Sequence, residues 1–440
     1  MTTAVVASAN SGTSKALRGI GILFGAGVPR AEHMLLLLVG SSLLIKNYDL
    51  AIFGLATPQI QASLGIPEES LGLFISLVRL GVLAAFPLAY FADSVGRRRI
   101  FLVTIAGMTA ATLLTAFAQT PLQYVALQAT ARCFAYAEEM LCFVIVAEEV
   151  GAARRGWAFG WLAALGGIGT GVAALVYAAV DYLPYAWRGY YVIGSLGLAI
   201  IMLARRRMRE TRRFQSRRIA PVEGLRARLA PIAELARSHP RRFSAMAAVT
   251  IPFAFGMEPA TFLVSKYLQT ELHFPPAYVS LLYLFGGVPL LGCLLAGPIS
   301  DRVGRRGVMA AAMVAAPALL ALFYVSTNPY AIVALWAAGM FAWMAGDVTI
   351  SGVASELFPT SCRATASAAR GVVAIAAGVL GLAAESALFG FFGSHGATIL
   401  CLLAVAPLGL LGLWIGIPET AARELEDIAA DLEPLRSGIS

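Results

Sequence analysis

Charged residues are scarce in this sequence. Only 13% of its 440 residues are Asp, Glu, Lys or Arg, whereas 59% are hydrophobic. A soluble domain carries roughly 25% charged residues, so the composition excludes an ordinary soluble protein. We expect an integral membrane protein.

Cysteine and histidine are also few. The 5 cysteines lie mostly in apolar segments and the 4 histidines are scattered, so neither residue type predicts a disulfide framework or a metal site. The Gly-rich loop ending in Gly-Lys-Ser/Thr that a nucleotide-driven pump requires does not occur. Clustered His, Cys or Ser side chains are missing as well, which argues against an enzyme. We expect neither a cofactor nor a metal ion.

Long apolar segments dominate the rest of the chain. A helix needs about 20 mainly apolar residues to cross a membrane, and twelve segments of about this length can be drawn. They predict an all-α membrane protein. We number them spans 1 to 12, with predicted limits 34–60, 70–92, 100–119, 121–147, 157–180, 187–204, 243–268, 277–299, 307–326, 329–357, 365–392 and 396–417.

Arginine is concentrated in one segment between the spans. Residues 205–242 contain thirteen arginines and three glutamates. Because Lys and Arg near helix ends stay on the cytoplasmic side, we expect this linker and both termini to be cytoplasmic, in a plasma (inner) membrane. The positive charge then reflects topology and contact with lipid, not nucleic-acid binding. The predicted divisions are a tail 1–33, a bundle 34–204, the linker 205–242, a bundle 243–417 and a tail 418–440.

Several charged positions recur 208 residues further along the chain. Asp93-Ser-Val-Gly-Arg-Arg returns as Asp301-Arg-Val-Gly-Arg-Arg, and Glu148 and Arg155 return as Glu356 and Arg363. A shared offset over half of the chain indicates duplication. We therefore expect two similar halves of six spans each.

The repeated segments also carry a family resemblance. The turns that begin at Asp93 and Asp301 resemble the loop signature of the major facilitator superfamily, after helices 2 and 8. Pro418-Glu419-Thr420 and Ser355-Glu356-Leu-Phe-Pro resemble its sugar-porter, organic-ion and aromatic-acid proton symporter branch. The resemblance implies two pseudo-symmetric six-helix bundles, the major facilitator fold, that alternate access to a mid-membrane site. We expect a monomer.

The repeated charges predict a gate. An Asp at a helix end can meet arginines of the loop and of neighbouring helices, while Gly96 and Gly304 permit a tight turn with positive φ. The resemblance gives these charges a gating role; the alternative is a solvated loop that sets topology. The gating candidates are Asp93, Arg97, Glu148, Arg155, Asp301, Arg305, Glu356 and Arg363.

Ionisable groups inside the spans are the candidates for proton coupling, because burying a charge in a membrane is costly. The resemblance places a proton-coupling acid in helix 1 near Asp49, and Glu139 and Glu138 are the other candidates. Lys46 lies one helical turn from Asp49 on the same face. A static Lys46–Asp49 ion pair is therefore the competing interpretation.

Basic and aromatic side chains in the spans are the candidates for substrate binding. Arginine near mid-membrane needs a carboxylate partner. The first half has three basic residues within its spans, Lys46, Arg79 and Arg132. Its possible acidic partners are also three: Asp49, Glu138 and Glu139. An acid that takes up a proton would free a cation for an anionic substrate. The alternative is helix packing. The substrate-binding candidates are Arg132, Arg79, Lys46, Tyr136, Glu258, Trp343 and Trp336.

These features together favour a secondary transporter of a small organic solute. The buried cations favour an organic anion, such as a carboxylate, carried by proton symport. A sugar or organic-cation facilitator is the alternative. A drug/proton antiporter is disfavoured, because the resemblance would require a Gly-Pro motif in span 5, where no proline occurs.

Overall fold

The computed structural model describes residues 30–88, 96–151, 155–179, 185–206, 225–285, 287–359 and 362–421. These segments are helical and contain no strand. Nine helices in the described part are long and apolar enough to cross a membrane, and a tenth is obtained if a bent pair of helices is counted as one span. The all-α architecture expected from the sequence is confirmed.

The helices follow the predicted spans in order, with a short linker helix between the halves. The first half contains Arg30–Leu55, Thr57–Leu64, Leu71–Leu80, Arg97–Thr115, Pro121–Glu149, Arg155–Tyr177 and Trp187–Arg205. The linker helix is Leu225–Ser238. The second half contains Pro240–Phe262, Val264–Thr270, Pro276–Leu284, Gly287–Val303, Arg305–Val325, Pro329–Glu356, Arg363–Phe392, His395–Leu403 and Gly409–Gly416.

Five of the predicted spans are not single regular helices. Span 1 is interrupted at Ala56, between the helices Arg30–Leu55 and Thr57–Leu64. Span 2 passes through a tighter 3-10 turn at Gly81–Ala84, and span 12 through another at Ala406–Leu408. Span 7 bends by 42° between Phe262 and Val264. Its helix contains two prolines, which remove backbone donors and crowd the preceding turn. Span 8 is divided after Phe285.

Two long spans begin in the same way in the two halves. Thr120 accepts a hydrogen bond from the backbone of Gln123 at the start of span 4, and Asn328 accepts from Tyr330 and Ala331 at the start of span 10. A proline follows each capping residue, where its missing N–H is not needed. The capping side chain accepts hydrogen bonds from free N–H donors of the first helical turn. The proline has no N–H, so it leaves one donor fewer to satisfy.

The glycines of the repeated turns adopt the predicted backbone conformation. Gly96 has φ 113° and ψ 137°, and Gly304 has φ 100° and ψ 140°. Residues with a Cβ rarely adopt this conformation. Each glycine directly precedes a span, so the turn sets the point at which span 3 or span 9 enters the bundle.

Side-chain hydrogen bonds join the two halves at one end of the bundle. We call the end that carries the linker the linker face and the other end the opposite face. On the opposite face, Gln59 Nε2 donates to Gln269 Oε1 at 2.9 Å and Ser265 Oγ donates to the Leu55 carbonyl at 2.6 Å. Both bonds join the first half to the second. The halves are therefore fastened together at the opposite face.

Candidate functional site

Two ion pairs connect spans 1 and 4 inside the first half. Arg132 Nη2 lies 2.9 Å from Asp49 Oδ2, and Lys46 Nζ lies 2.9 Å from Glu139 Oε2. The spans run antiparallel, so the earlier residue of span 1 meets the later residue of span 4. The structure thus pairs Lys46 with Glu139 instead of Asp49, the partner that the one-turn spacing indicated. Tyr136 lies below the ammonium, with its ring centroid 4.4 Å from Lys46 Nζ.

The Asp49–Arg132 pair is almost completely shielded, with each side chain only 1% exposed. Arg132 Nη2 also donates to Gln128 Oε1 at 2.9 Å. Its Nε and Nη1 have no hydrogen-bond partner within the described part of the chain. A buried guanidinium with unused donors is costly, so this arginine has spare capacity for a further acceptor.

Glu138 belongs to a different cluster, near the linker face. It forms an ion pair with Arg205, at the end of span 6, and accepts a hydrogen bond from Thr104. Arg205 also donates to Ser42 Oγ at 2.6 Å. This partner was not predicted, because Arg205 was assigned to the linker 205–242. Its bonds fix spans 1, 3, 4 and 6 together.

Arg79 in span 2 crosses to the second half. Its Nη1 and Nη2 donate to the two carboxylate oxygens of Glu258 at 2.7 and 3.2 Å. The expected balance of three bases and three acids within the first half is therefore not observed. Such a two-pronged pair is among the strongest hydrogen-bonded contacts that arginine forms. The pair joins spans 2 and 7 within the bundle.

A further ion pair joins spans 10 and 11 of the second half. Arg370 of span 11 forms an ion pair with Asp347 of span 10, and its Nη1 donates to Ser351 Oγ at 2.7 Å. The Arg79–Glu258 pair crosses between the halves, whereas the Asp347–Arg370 pair lies within the second half.

A cavity of about 160 Å³ lies between the two halves. Its walls are largely aromatic and apolar, and one side chain that the sequence had indicated, Trp336, is among them. Two other aromatic wall residues, Phe262 and Tyr283, were not among the predicted site residues. The lining residues are Asn47, Leu50, Ala51, Gly54, Thr170, Thr261, Phe262, Tyr283, Trp336 and Met340.

None of the charged side chains described above is among the residues that line this cavity. Span 1 directs Asn47 and Ala51 to the cavity, while Asp49 points to span 4. Trp343 lies two turns beyond Trp336 and is not among the lining residues. Arg79 contacts one of the wall residues, because its guanidinium lies 4.5 Å from the ring centroid of Phe262.

The predicted gating residues form matching pairs at the linker face. Arg97 Nε lies 2.9 Å from Glu148 Oε2, and Arg305 Nε lies 2.8 Å from Glu356 Oε2. Arg305 also approaches Asp301 at 3.2 Å. Each pair joins residues of one half only. Asp93 and the side chain of Arg155 lie outside the described residues, and Arg363 is partly buried at the start of span 11.

Glu419, which follows span 12, contacts the start of span 9 beside the Arg305–Glu356 pair. Its carboxylate accepts backbone hydrogen bonds from Arg305, Arg306 and Ala421 at 2.9, 3.2 and 2.9 Å. Partial burial favours the neutral acid, but these N–H donors outweigh it and lower the pKa of Glu419. The carboxylate thereby caps the start of span 9.

The sequence matches the family model of the Major Facilitator Superfamily over residues 39–295 and 260–439. Similar proteins include a probable 4-methylmuconolactone transporter of Cupriavidus pinatubonensis, 24% identical, covering 87% of this chain and 90% of that one. Another is a gallate transporter of Pseudomonas putida, 24% identical, covering 90% and 91%. The crystal structure of a D-xylose-proton symporter aligns with a TM-score of 0.70 at 15% identity, covering 88% and 98%.

The chain belongs to the Major Facilitator Superfamily. It is a multi-pass membrane protein that transports a small organic solute, and it is not an enzyme.

Proposed function

We propose that this protein takes up a small organic anion, an aromatic or unsaturated ring bearing a carboxylate, together with a proton. The observation that carries the proposal is the aromatic cavity with Arg79 behind one of its walls. A planar ring would stack on Phe262, Tyr283 or Trp336, and its carboxylate would reach the Arg79 guanidinium. The similar proteins named for gallate, an aromatic carboxylate, and for a lactone support this chemical class.

The size of the cavity supports a small cargo. Pockets for drug-sized ligands enclose roughly 300–1,000 Å³, whereas this cavity encloses about 160 Å³. A single ring with few substituents is the appropriate scale. A larger amphipathic drug would require the walls to separate.

We assign the proton to Asp49. In the observed state its carboxylate is paired with Arg132 and carries no proton by this assignment. When the halves rock and Arg132 turns to another acceptor, a buried carboxylate without a partner is neutralised by taking up a proton. Glu139 is the second candidate, because its side chain is 28% exposed and thus accessible to water.

The charge of the linker supports the direction of transport. Thirteen arginines between residues 205 and 242 favour a cytoplasmic linker face, in the plasma (inner) membrane with both termini inside. The opposite face would then be external. The proton gradient would drive uptake from the opposite face to the linker face, with the protein acting as a monomer.

The test uses purified protein in liposomes with radiolabelled gallate or benzoate as the probe. Asp49→Asn should abolish uptake driven by a pH gradient, while exchange of the probe at equal pH continues. Glu139→Gln is the matched control and should retain gradient-driven uptake. The reverse pattern would move the proton to Glu139. Gradient-independent uptake by the unaltered protein would favour a facilitator.

A further inference from the structure

A second cluster of ionisable groups lies at the opposite face, away from the cavity. Its centre is His395, the first residue of span 12, which is buried. His395 Nδ1 lies 2.7 Å from Glu385 Oε1 of span 11, and His395 Nε2 lies 3.1 Å from Glu68 Oε2. Glu68 begins span 2 in the first half. The imidazole therefore bridges the two halves.

Both ring nitrogens of His395 face carboxylate oxygens. A neutral imidazole has one N–H donor and one acceptor, whereas the imidazolium has two donors. Two carboxylate partners therefore require an additional proton on the ring or on one of the acids. When both contacts are formed, the cluster therefore holds one proton more than a neutral histidine and two ionised carboxylates would hold.

Other groups that face His395 show why this proton matters. Lys266 Nζ lies 2.7 Å from Glu68 Oε1. Glu271 accepts the backbone N–H of His395 at 2.7 Å, and the Phe389 ring lies 4.5 Å from the imidazole. Lys266 and a protonated His395 offset the charges of Glu68 and Glu385, while the Glu271 carboxylate is held by the backbone N–H groups of His395 and Gly396 and by Ser394 Oγ. Without the proton, the cluster carries an excess negative charge.

The position of Glu385 makes this excess charge costly. Its side chain is 0% exposed, whereas that of Glu68 is 49% exposed. A buried carboxylate that loses its cationic partner strongly destabilises the folded arrangement. Glu68 can return to water if the halves separate, and its exposure gives the proton a route from the medium. Separation of the halves therefore relieves part of the cost of deprotonation.

We propose that His395 is a proton-binding site that fastens the opposite face: the protonated ring holds Glu68 to Glu385, and loss of the proton releases the two halves on this side. This site differs from Asp49 in place and in consequence. Asp49 lies within the first half, whereas His395 joins the halves. Acid on the opposite face favours closure there, independently of any substrate.

The test measures opening of the opposite face without substrate or gradient. Spin labels replace Phe117 and Tyr330 in a cysteine-free background. Both residues are exposed, at the ends of spans 3 and 10 that lie on the opposite face, so the distance between the labels reports the separation of the halves. Between about pH 5 and about pH 8, the range in which histidine commonly titrates, the long-distance population should grow as the pH rises. His395→Gln should remove this pH dependence.

Two controls separate this site from other causes. His273→Gln alters an exposed histidine on the same face and should behave as the unaltered protein. Asp49→Asn should also keep the pH response, so failure of the proton assignment to Asp49 would not affect the result. Glu68→Gln should favour the open state at acidic pH even if His395→Gln folds poorly. A pH response that persists in His395→Gln, or an unaltered distance in Glu68→Gln, overturns the proposal.

Discussion

The two halves are alike at the linker face and different within the membrane. Arg97–Glu148 and Arg305–Glu356 occupy equivalent positions with nearly equal distances. Deeper in the bundle, the position equivalent to Arg132 is Met340, which lines the cavity. The second half therefore lacks, at the equivalent position, the cation that pairs with the acid of the first.

This difference explains the bridge between the halves. Asp49 has Arg132 beside it, whereas Glu258, at nearly the equivalent position, pairs with Arg79 of the other half. A carboxylate without a nearby cation in its own half must find one elsewhere or become neutral. The duplicated scaffold is thus symmetric at the repeated turns and asymmetric in how its buried charges pair.

The largest effect is expected when Arg132 is replaced by methionine, the residue that the second half has at the equivalent position 340. Arg132→Met leaves Asp49 buried and unpaired, and removal of one partner of a buried ion pair costs about 3–5 kcal/mol. We expect a large fall in the midpoint of thermal unfolding in detergent and loss of uptake. Met340→Leu is the control and should unfold near the original temperature. Adding Asp49→Asn to Arg132→Met should restore much of the stability; no recovery would contradict pairing as the cause.

The cross-half pair should control charge selectivity. Arg79→Ala removes the cation beside the cavity, and a hydrogen bond to a charged group is worth about 1.5–3 kcal/mol. Binding of benzoate should weaken by roughly ten- to a hundred-fold, while binding of benzamide should change less. Calorimetry with both compounds measures the difference. Equal losses for the two would remove Arg79 from the anion site.

The turn glycines test the symmetric part of the scaffold. Gly96→Ala and Gly304→Ala each place a Cβ on backbone with positive φ, 113° at residue 96 and 100° at residue 304. Such a conformation costs a residue with a Cβ about 1–3 kcal/mol. A Cβ at Gly304 would also lie 2.8 Å from Glu419 Oε2. We expect both variants to unfold at lower temperature, with the greater loss at Gly304. A loss confined to one glycine would show that the two turns are not equivalent.

The smallest expected effect concerns the cap at span 9. Replacement of a helix-capping side chain costs about 0.5–2 kcal/mol, so Glu419→Gln should destabilise the protein modestly at neutral pH. The pKa of Glu419 is lowered in the folded state. Its contribution is therefore present above the ordinary glutamate pKa and disappears as the pH falls through the lowered value. The unfolding midpoints of the two proteins should converge in acid; a constant difference would indicate that the charge is not responsible.

The sequence predicted a large part of the scaffold. Apolar length predicts the spans because a membrane sets the length of a helix, and the repeated Gly96 and Gly304 indicated turns with positive φ, which the structure contains. Local signals were weaker for irregular helices. The prolines of span 7 are visible in the sequence, but the bend after Phe262 was not predicted.

The candidate site was predictable only as a set of residue types. The acids and bases within the spans were identifiable because each charge there is costly, but their partners were not. The one-turn spacing made an ion pair of Lys46 with Asp49 the competing interpretation, whereas Lys46 pairs with Glu139. Phe262 and Tyr283 carried no distinguishing signal among many aromatic side chains.

The sequence by itself determined the medium, the helical architecture and the duplication, because these depend on composition and on spacing along one chain. The tertiary structure decided the pairing of Asp49 with Arg132, Arg79 with Glu258 and Glu68 with His395. Each pair depends on the height and rotation of helices that are distant in sequence. Those quantities follow from how the helices pack against one another, which no local pattern records.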